Sequence, residues 1–121
     1  MDLINIKHPE EAVSFKQAVL QGLGSDQGLF FPRNIKPLEN VGKLLQLPFV
    51  PRSAAILHHL LDGELAQQTL LEMVEAAFDF PLPVRSLNEQ ISALELFHGP
   101  SLAFKDFGAR FMAGCLVQFR N

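Results

Sequence analysis

The strongest constraint on the fold of this chain is the spacing of apolar residues in AQQTLLEMVEAAFDF, residues 66–80. One set of positions in this segment is apolar: Leu70, Leu71, Val74, Ala77 and Phe78. Because the set recurs every three to four positions, it forms one face of an α-helix. The segment PLPV follows, and proline removes a backbone donor, so the helix ends there. The pattern predicts an amphipathic helix packed on a core.

Other segments predict further helices and a little strand. VSFKQAVLQGLG carries Ser14 and Gln17 at the spacing of a capping box, in which both side chains satisfy backbone N–H groups at a helix start. Ser53 is in the position of an N-cap for AAILHHLLDG, and LINI (residues 3–6) alternates like a short strand. The predicted fold class is therefore α+β and mostly helical, with helices near residues 14–21, 39–46, 53–62, 67–79 and 106–119.

The pattern changes near residue 91. ISALELF is extended and apolar, HGPS is typical of a loop, and DFGARFMAGCLVQF is an amphipathic helix. Strand, loop and helix in this order open a β-α unit, which requires a following parallel strand. None follows within the 121 residues, so the pattern predicts a chain truncated inside a second domain.

Composition narrows the class of protein. The formal net charge is −3 without clusters of Lys or Arg, which argues against a nucleic-acid partner. No apolar run approaches the roughly 20 residues of a membrane span, and no signal-peptide pattern is present, so a cytoplasmic location is expected. The 11 Phe residues, without Tyr or Trp, predict an apolar core or interface, and a single cysteine excludes a disulfide framework.

Lys105 is the residue that its surroundings explain least. It follows Leu102, Ala103 and Phe104 at the start of the last predicted helix, where the positive end of the helix dipole disfavours a cation. Burial among apolar neighbours would also favour the neutral amine, which attacks aldehydes to form a Schiff base. Pyridoxal phosphate is the usual aldehyde of this kind. The alternative is a structural lysine whose ammonium group extends to water.

Three segments resemble bacterial threonine synthases. LELFHGPSLAFKDFGARFMA resembles the family's cofactor-lysine segment, in which the Lys of H-G-P-T-x-A-F-K-D carries pyridoxal phosphate. VSFKQAVLQGLGSDQGLFFP resembles the N-terminal signature of the family, and AAFDFPLPV resembles the segment between the two. The resemblance covers nearly the whole chain and departs at Ser101, where the family usually has Thr.

The resemblance implies a function and a division into domains. Threonine synthases are lyases that use pyridoxal 5'-phosphate to convert O-phospho-L-homoserine and water into L-threonine and phosphate. Lys105 is then the implied catalytic and cofactor-binding residue. Residues 1–90 are expected to form the family's N-terminal domain, and residues 91–121 the first strand, loop and helix of an incomplete cofactor domain of fold-type II. Family members are several-fold longer, and the glycine-rich phosphate loop is expected downstream, so the chain alone is expected to be inactive.

Three neighbours of Lys105 are candidate pocket residues, and each has a structural alternative. Asp106 either orients Lys105 or a substrate group, or complements the helix dipole. Ser101 either hydrogen-bonds in the pocket or caps the turn, and His98 either lines the site or serves as a structural hydrogen-bonding residue.

The remaining reactive residues predict no metal site. The histidines and the cysteine lack ligand spacing; they are His8, His58, His59, His98 and Cys115. Cys115 lies on the apolar face of its helix and is predicted to belong to the core. Arg110 either reaches an anion or, as is commoner, lies on the solvated face.

Two hypotheses remain open from the sequence. One is the N-terminal part of a pyridoxal-phosphate enzyme, and the other is a small helical interaction module, or a degenerate remnant, without catalysis. If the chain is truncated, the strand near residues 91–97 and the stripe of Phe107, Phe111 and Phe119 would lack covering elements. Residues 91–119 are therefore expected either to self-associate or to fold back onto the N-terminal helices.

Overall fold

A computed structural model describes residues 1–120, which contain five α-helices and five short strands. In chain order these are β1 (Leu3–Asn5), β2 (Ala12–Val13), α1 (Phe15–Gln21), β3 (Phe30–Pro32), α2 (Val41–Gln46), α3 (Phe49–Leu60), α4 (Gln67–Ala77), β4 (Val84–Ser86), β5 (Ser92–Leu94) and α5 (Lys105–Arg120). Ser25–Gln27 adds one turn of 3-10 helix. The predicted class, α+β and mostly helical, is confirmed. Within residues 1–120, no helix is both long enough and apolar enough to cross a membrane.

The core lies where α3, α4 and α5 meet, and α1 packs on the outer side of α5. Its buried side chains are Ala54, Leu61, Leu65, Leu70, Val74, Cys115 and Phe119. Phe15 of α1 packs edge-to-face against Phe119 of α5, with the ring centroids 5.8 Å apart. Burial of such a ring is worth roughly 1.5–3 kcal/mol. The helical part of residues 91–119 therefore folds back onto the N-terminal helices, as one of the two expectations had it.

Local capping explains where α1 begins and ends. The hydroxyl of Ser14 accepts a hydrogen bond from the backbone N–H of Gln17 at 3.2 Å, and the Gln17 side chain accepts one from the Ser14 N–H at 2.9 Å. Gly22 follows the helix with φ +81°, a conformation that favours glycine. The predicted capping box is confirmed.

The predicted start of α3 at Ser53 is wrong, because the helix begins one turn earlier, at Phe49. Ser53 therefore lies inside the helix rather than at its N-cap. Pro51 sits in the first turn, where a missing N–H has no intrahelical partner to lose, so proline is tolerated there. The backbone of Arg52 already donates to Pro48 at 3.0 Å.

Two antiparallel sheets complete the fold. β1 is the central strand of the first, with Leu3 paired to Val13 of β2 on one side and to Pro32 of β3 on the other. In the second, β4 and β5 form a hairpin in which Val84 lies opposite Leu94.

The hairpin corrects one expectation. Residues 91–97 were expected to be a strand without neighbours, but the strand is limited to Ser92–Leu94 and is paired with β4. The predicted domain boundary after residue 90 falls in the turn of this hairpin, and the boundary stays a prediction.

Candidate lysine site at the start of the last helix

Lys105 is the first residue of α5 and is exposed. Leu102 and Phe104, which precede it, are also exposed, at 75% and 65% of their surface. The apolar burial that the sequence suggested for Lys105 is therefore wrong for the part of the chain that the structure describes. Exposure is what the structural alternative, a lysine whose ammonium group extends to water, predicted, and it leaves a primary amine accessible at the start of α5.

Asp106, the next residue, is buried, with 7% of its surface exposed. Its carboxylate accepts two hydrogen bonds from Ser101, one from the backbone N–H to Oδ2 at 2.9 Å and one from the hydroxyl to Oδ1 at 2.6 Å. The Ser101 hydroxyl bond is the largest cause that lowers the pKa of Asp106 below its ordinary value. The structure thus brings Asp106 and Ser101 together.

The loop between residues 98 and 104 wraps around this carboxylate. The Leu102 backbone N–H donates to the Gly99 carbonyl at 3.1 Å, and Leu102 adopts a φ of 57°, which is uncommon for a residue with a side chain. A Cβ at Gly99 would collide with the carboxylate of Asp106. Gly99 is therefore a site residue that the sequence analysis did not single out, although its place in HGPS next to a predicted turn was a signal.

His98 connects the loop to the hairpin. One ring nitrogen, Nε2, lies 2.6 Å from Glu95 Oε2, while Glu95 Oε1 lies 3.6 Å from Nε of Arg85. The ring of Phe97 stacks on the imidazole with centroids 4.6 Å apart. Of the two roles that the sequence left open for His98, these contacts are those of a structural hydrogen-bonding residue. Glu95, which lies in the quoted LELFHGPS segment but was not predicted as a site residue, is its partner.

Of the two alternatives for Arg110, the structure shows contact with an anion, the carboxylate of Asp79, rather than a free side chain on a solvated helix face. Its guanidinium donates to the carbonyl of Ala77 at 2.8 Å, to that of Ala76 at 2.7 Å, and to Asp79 Oδ1 at 2.8 Å. The guanidinium also lies 5.8 Å from the ring centroid of Phe80. The last carbonyls of a helix have no intrahelical donors, so Arg110 caps the C-terminus of α4 and ties α5 to it.

An aromatic cluster supports the same junction. Phe107, two residues after Lys105, packs against Phe78 and Phe80 with ring centroids 5.4 and 4.7 Å away. Phe78 in turn stacks on Phe49 at 5.8 Å. The first turn of α5 is therefore held by rings at and just after the end of α4, one of which also stacks on Phe49 of α3, and the phenylalanines form an apolar cluster as their number predicted.

Cys115 lies in the core, as predicted, and burial raises the pKa of its thiol to about 11. Among residues 1–120, no group of three or more His, Cys, Asp or Glu side chains is placed to hold a metal ion. The accessible amine of Lys105 is thus the group of this site with the chemistry to bind an aldehyde.

Comparison with known sequences gives consistent matches. The family described as "Threonine synthase N terminus" matches residues 4–78. Threonine synthase from Haemophilus influenzae is 62% identical over 121 residues, which are 100% of this chain and 28% of that protein. Threonine synthase from Escherichia coli is 52% identical over 119 residues, covering 97% of this chain and 28% of that protein.

Solved structures agree. The crystal structure of threonine synthase from Escherichia coli superposes with a TM-score of 0.95 at 50% identity, covering 99% of this chain and 28% of that one. The structure of PLP-bound threonine synthase from Brucella melitensis gives a TM-score of 0.80 at 29% identity, over 98% of this chain and 28% of that one. The chain thus spans 28% of the length of these relatives.

Proposed function

This chain belongs to the threonine synthase family, and from that premise we propose that it forms the N-terminal part of an enzyme that makes L-threonine with pyridoxal phosphate. The proposed enzyme is a lyase of the cytoplasm that acts on O-phospho-L-homoserine and water and releases phosphate. The observation that carries the proposal is the accessible amine of Lys105, which begins a helix whose first turns are fixed to the rest of the chain.

The residues fit a cofactor that is an aldehyde. Lys105 supplies a primary amine exposed at the start of α5, which is the nucleophile that such a cofactor requires for covalent attachment. When bound, pyridoxal phosphate supplies an electron sink that stabilises negative charge on the carbon atoms of an amino-acid substrate. We assign two tasks to Nζ of Lys105: it holds the cofactor before substrate arrives, and it then moves protons between substrate carbons as a general base and acid.

The neighbouring residues hold the lysine in place. Asp106 and Ser101 fasten the loop to the first turn of α5. His98, through Glu95, ties the other end of the loop to the β4–β5 hairpin. In this proposal, residues 1–90 form the N-terminal domain and residues 91–121 begin the cofactor domain, and orientation of the cofactor needs groups outside this chain.

Substitution of Lys105 tests the proposal in the complete enzyme. Lys105→Ala should lower the rate of threonine formation by at least about 100-fold, the range in which general acid–base catalysis contributes. Because Lys105 is exposed, the change removes no core packing, and the melting temperature of the cofactor-free enzyme should stay unchanged. Lys105→Arg keeps the positive charge but lacks the nucleophilic amine, so it should be as inactive.

Lys43→Ala is the matched control, since Lys43 is an exposed lysine on α2. It should retain the wild-type rate. Threonine formation by Lys105→Ala at the rate of this control would refute the proposed role of Lys105.

A further inference from the structure

We propose that Asp106 is the positioning residue for Lys105, because its carboxylate fastens Ser101 and the loop before the lysine to the first turn of α5. The inference rests on the proposed function and adds to it a residue that acts through Ser101 rather than on the substrate. The sequence left two roles open for Asp106, orientation of Lys105 and complementation of the helix dipole. An aspartate that only complements the dipole does not need hydrogen bonds to the preceding loop.

The hydrogen bonds show how the carboxylate is used. Oδ2 accepts from the Ser101 N–H and Oδ1 from the Ser101 hydroxyl, at 2.9 and 2.6 Å. Ser101, five positions earlier in the chain, thus donates to both carboxylate oxygens, and the two hydrogen bonds together restrain the orientation of the carboxylate. A charged acceptor makes short, strong hydrogen bonds, and burial of Asp106 limits the competition from water on the acceptor side.

The loop conformation depends on this attachment. Leu102 has a φ of 57°, a region that residues with side chains occupy when their surroundings impose it. Gly99 lies so close to the carboxylate of Asp106 that any larger residue would collide with it. The backbone that leads into Lys105 is therefore shaped around the Asp106 side chain, with the Asp106 N–H itself bonded to Ala103 at 3.1 Å.

The position of the lysine follows from that geometry. The Asp106 N–H donates a hydrogen bond to the Ala103 carbonyl. Lys105 lies in the chain between these two residues, so this hydrogen bond restrains its backbone. Its exposed side chain has no such support of its own. Loss of the attachment should leave the amine present and chemically competent but poorly aligned, and misalignment lowers the rate of a positioned reaction more than it lowers binding.

Substitutions of Ser101 give the most direct test. In the complete enzyme with pyridoxal phosphate, Ser101→Ala removes one hydrogen bond, while Ser101→Thr keeps the hydroxyl. We expect Ser101→Ala to lower kcat about tenfold with a KM for O-phospho-L-homoserine within about twofold of wild type. The visible circular dichroism per bound cofactor, which reports a fixed orientation, should fall with it. Ser101→Thr should restore both, and Ser92→Ala, an exposed serine on β5, should change neither.

Asp106 variants give a second, independent test that needs no cofactor. In the cofactor-free enzyme, Asp106→Ala should raise the rate of amide hydrogen exchange in the peptide covering residues 98–104 by about tenfold or more, because the Ser101 N–H loses its acceptor. With cofactor bound, Asp106→Ala should show the same loss of kcat and of circular dichroism as Ser101→Ala. If Asp106→Ala fails to fold, the Ser101→Ala variant alone tests the inference. It is expected to fold because the Ser101 side chain is small and lies at the surface.

The inference is overturned if Ser101→Ala keeps kcat and circular dichroism within about twofold of wild type. It is overturned as well if Ser101→Thr fails to restore what Ser101→Ala loses. The proposed function fails separately, and the inference with it, if borohydride reduction of the wild-type enzyme attaches no cofactor to Lys105.

Discussion

Within α5, Lys105 differs from its reactive neighbours in being accessible. Asp106 is buried against Ser101, and Cys115 is buried in the core between α4 and α5. A nucleophile at this place needs access to its reaction partner, whereas a buried thiol with a raised pKa has neither access nor charge. Among these three residues of α5, the exposed Lys105 is therefore the candidate reactive group, and Asp106 and Cys115 are assigned structural roles.

Cys115 should be almost inert in the native chain. Because burial raises the pKa of its thiol to about 11, the thiolate fraction near neutral pH is very small. Reaction with a disulfide reagent near pH 8 should be on the order of 100-fold slower than that of a free cysteine. Denaturant should restore the ordinary rate in the same sample. Equal rates with and without denaturant would show that the thiol is not buried.

Asp106 should contribute to stability in a pH-dependent way. Its pKa is lowered in the folded chain, mainly by the Ser101 hydroxyl, so its contribution is fully present above the ordinary aspartate value of about 3.9. As the pH falls below that value and through the lowered folded-state pKa, the contribution is lost. The difference in free energy of unfolding between wild type and Asp106→Asn should therefore shrink with acidification, as urea titrations at several pH values would show. A constant difference would contradict the assignment.

At the scale of elements, the features that the sequence predicted correctly are those determined by interactions between residues close in the chain. The capping box of Ser14, the apolar period of α4 and the place of Lys105 at the start of α5 are all encoded within a few neighbouring residues. Short strands such as β2 and β4 have two or three residues and show no alternation, so their existence depends on partners distant in sequence.

The same reasoning separates the predicted from the unpredicted parts of the site. Lys105 was found because a lysine among apolar residues is a local anomaly. The bonds of Arg110 to the end of α4 span 33 and 34 positions, and no sequence pattern encodes that approach. The Asp106–Ser101 pair spans five positions, yet it depends on the positive φ of Leu102, which residue type does not reveal.

Arg110 should therefore be a stabilising link between α4 and α5. Arg110→Met removes three hydrogen bonds from a charged donor and leaves the carbonyls of Ala76 and Ala77 without this partner. The free energy of unfolding should fall by about 1–3 kcal/mol in urea titrations. Asp79→Ala should cost less, since Asp79 is exposed and surface ion pairs contribute about 0–1 kcal/mol. Arg110→Met without measurable effect would contradict the link.

At the scale of the whole chain, α5 shares one core with the N-terminal helices but keeps Met112, Leu116 and Val117 exposed, and the hairpin also carries exposed apolar side chains. These include Val84, Leu87, Ile91, Leu94 and Phe97. Val84 and Leu94 lie opposite each other and so share one face of the hairpin. Exposed apolar surface of this kind favours association. The expected self-association through residues 91–119 thus stays a prediction, and the hairpin is one surface through which we expect it to occur.

Leu94→Lys tests that role of the hairpin, because it places a charge on the exposed apolar face at the last residue of β5. Light scattering on the purified chain should show less association than wild type, and a dye that reports apolar surface should bind less. Leu45→Lys on α2 is the matched control, since Leu45 is at least as exposed as Leu94 but lies outside the hairpin. If both variants associate as wild type does, the hairpin is not the associating surface.

The central claim is that Lys105 carries the cofactor, and covalent mapping tests it most directly. The complete enzyme would be saturated with pyridoxal phosphate, reduced with borohydride, digested and analysed by mass spectrometry. The account predicts that the reduced cofactor is found on the peptide that contains Lys105 and that Lys105→Ala abolishes this label. A label on another lysine of the active enzyme, with Lys105 unmodified, would contradict it.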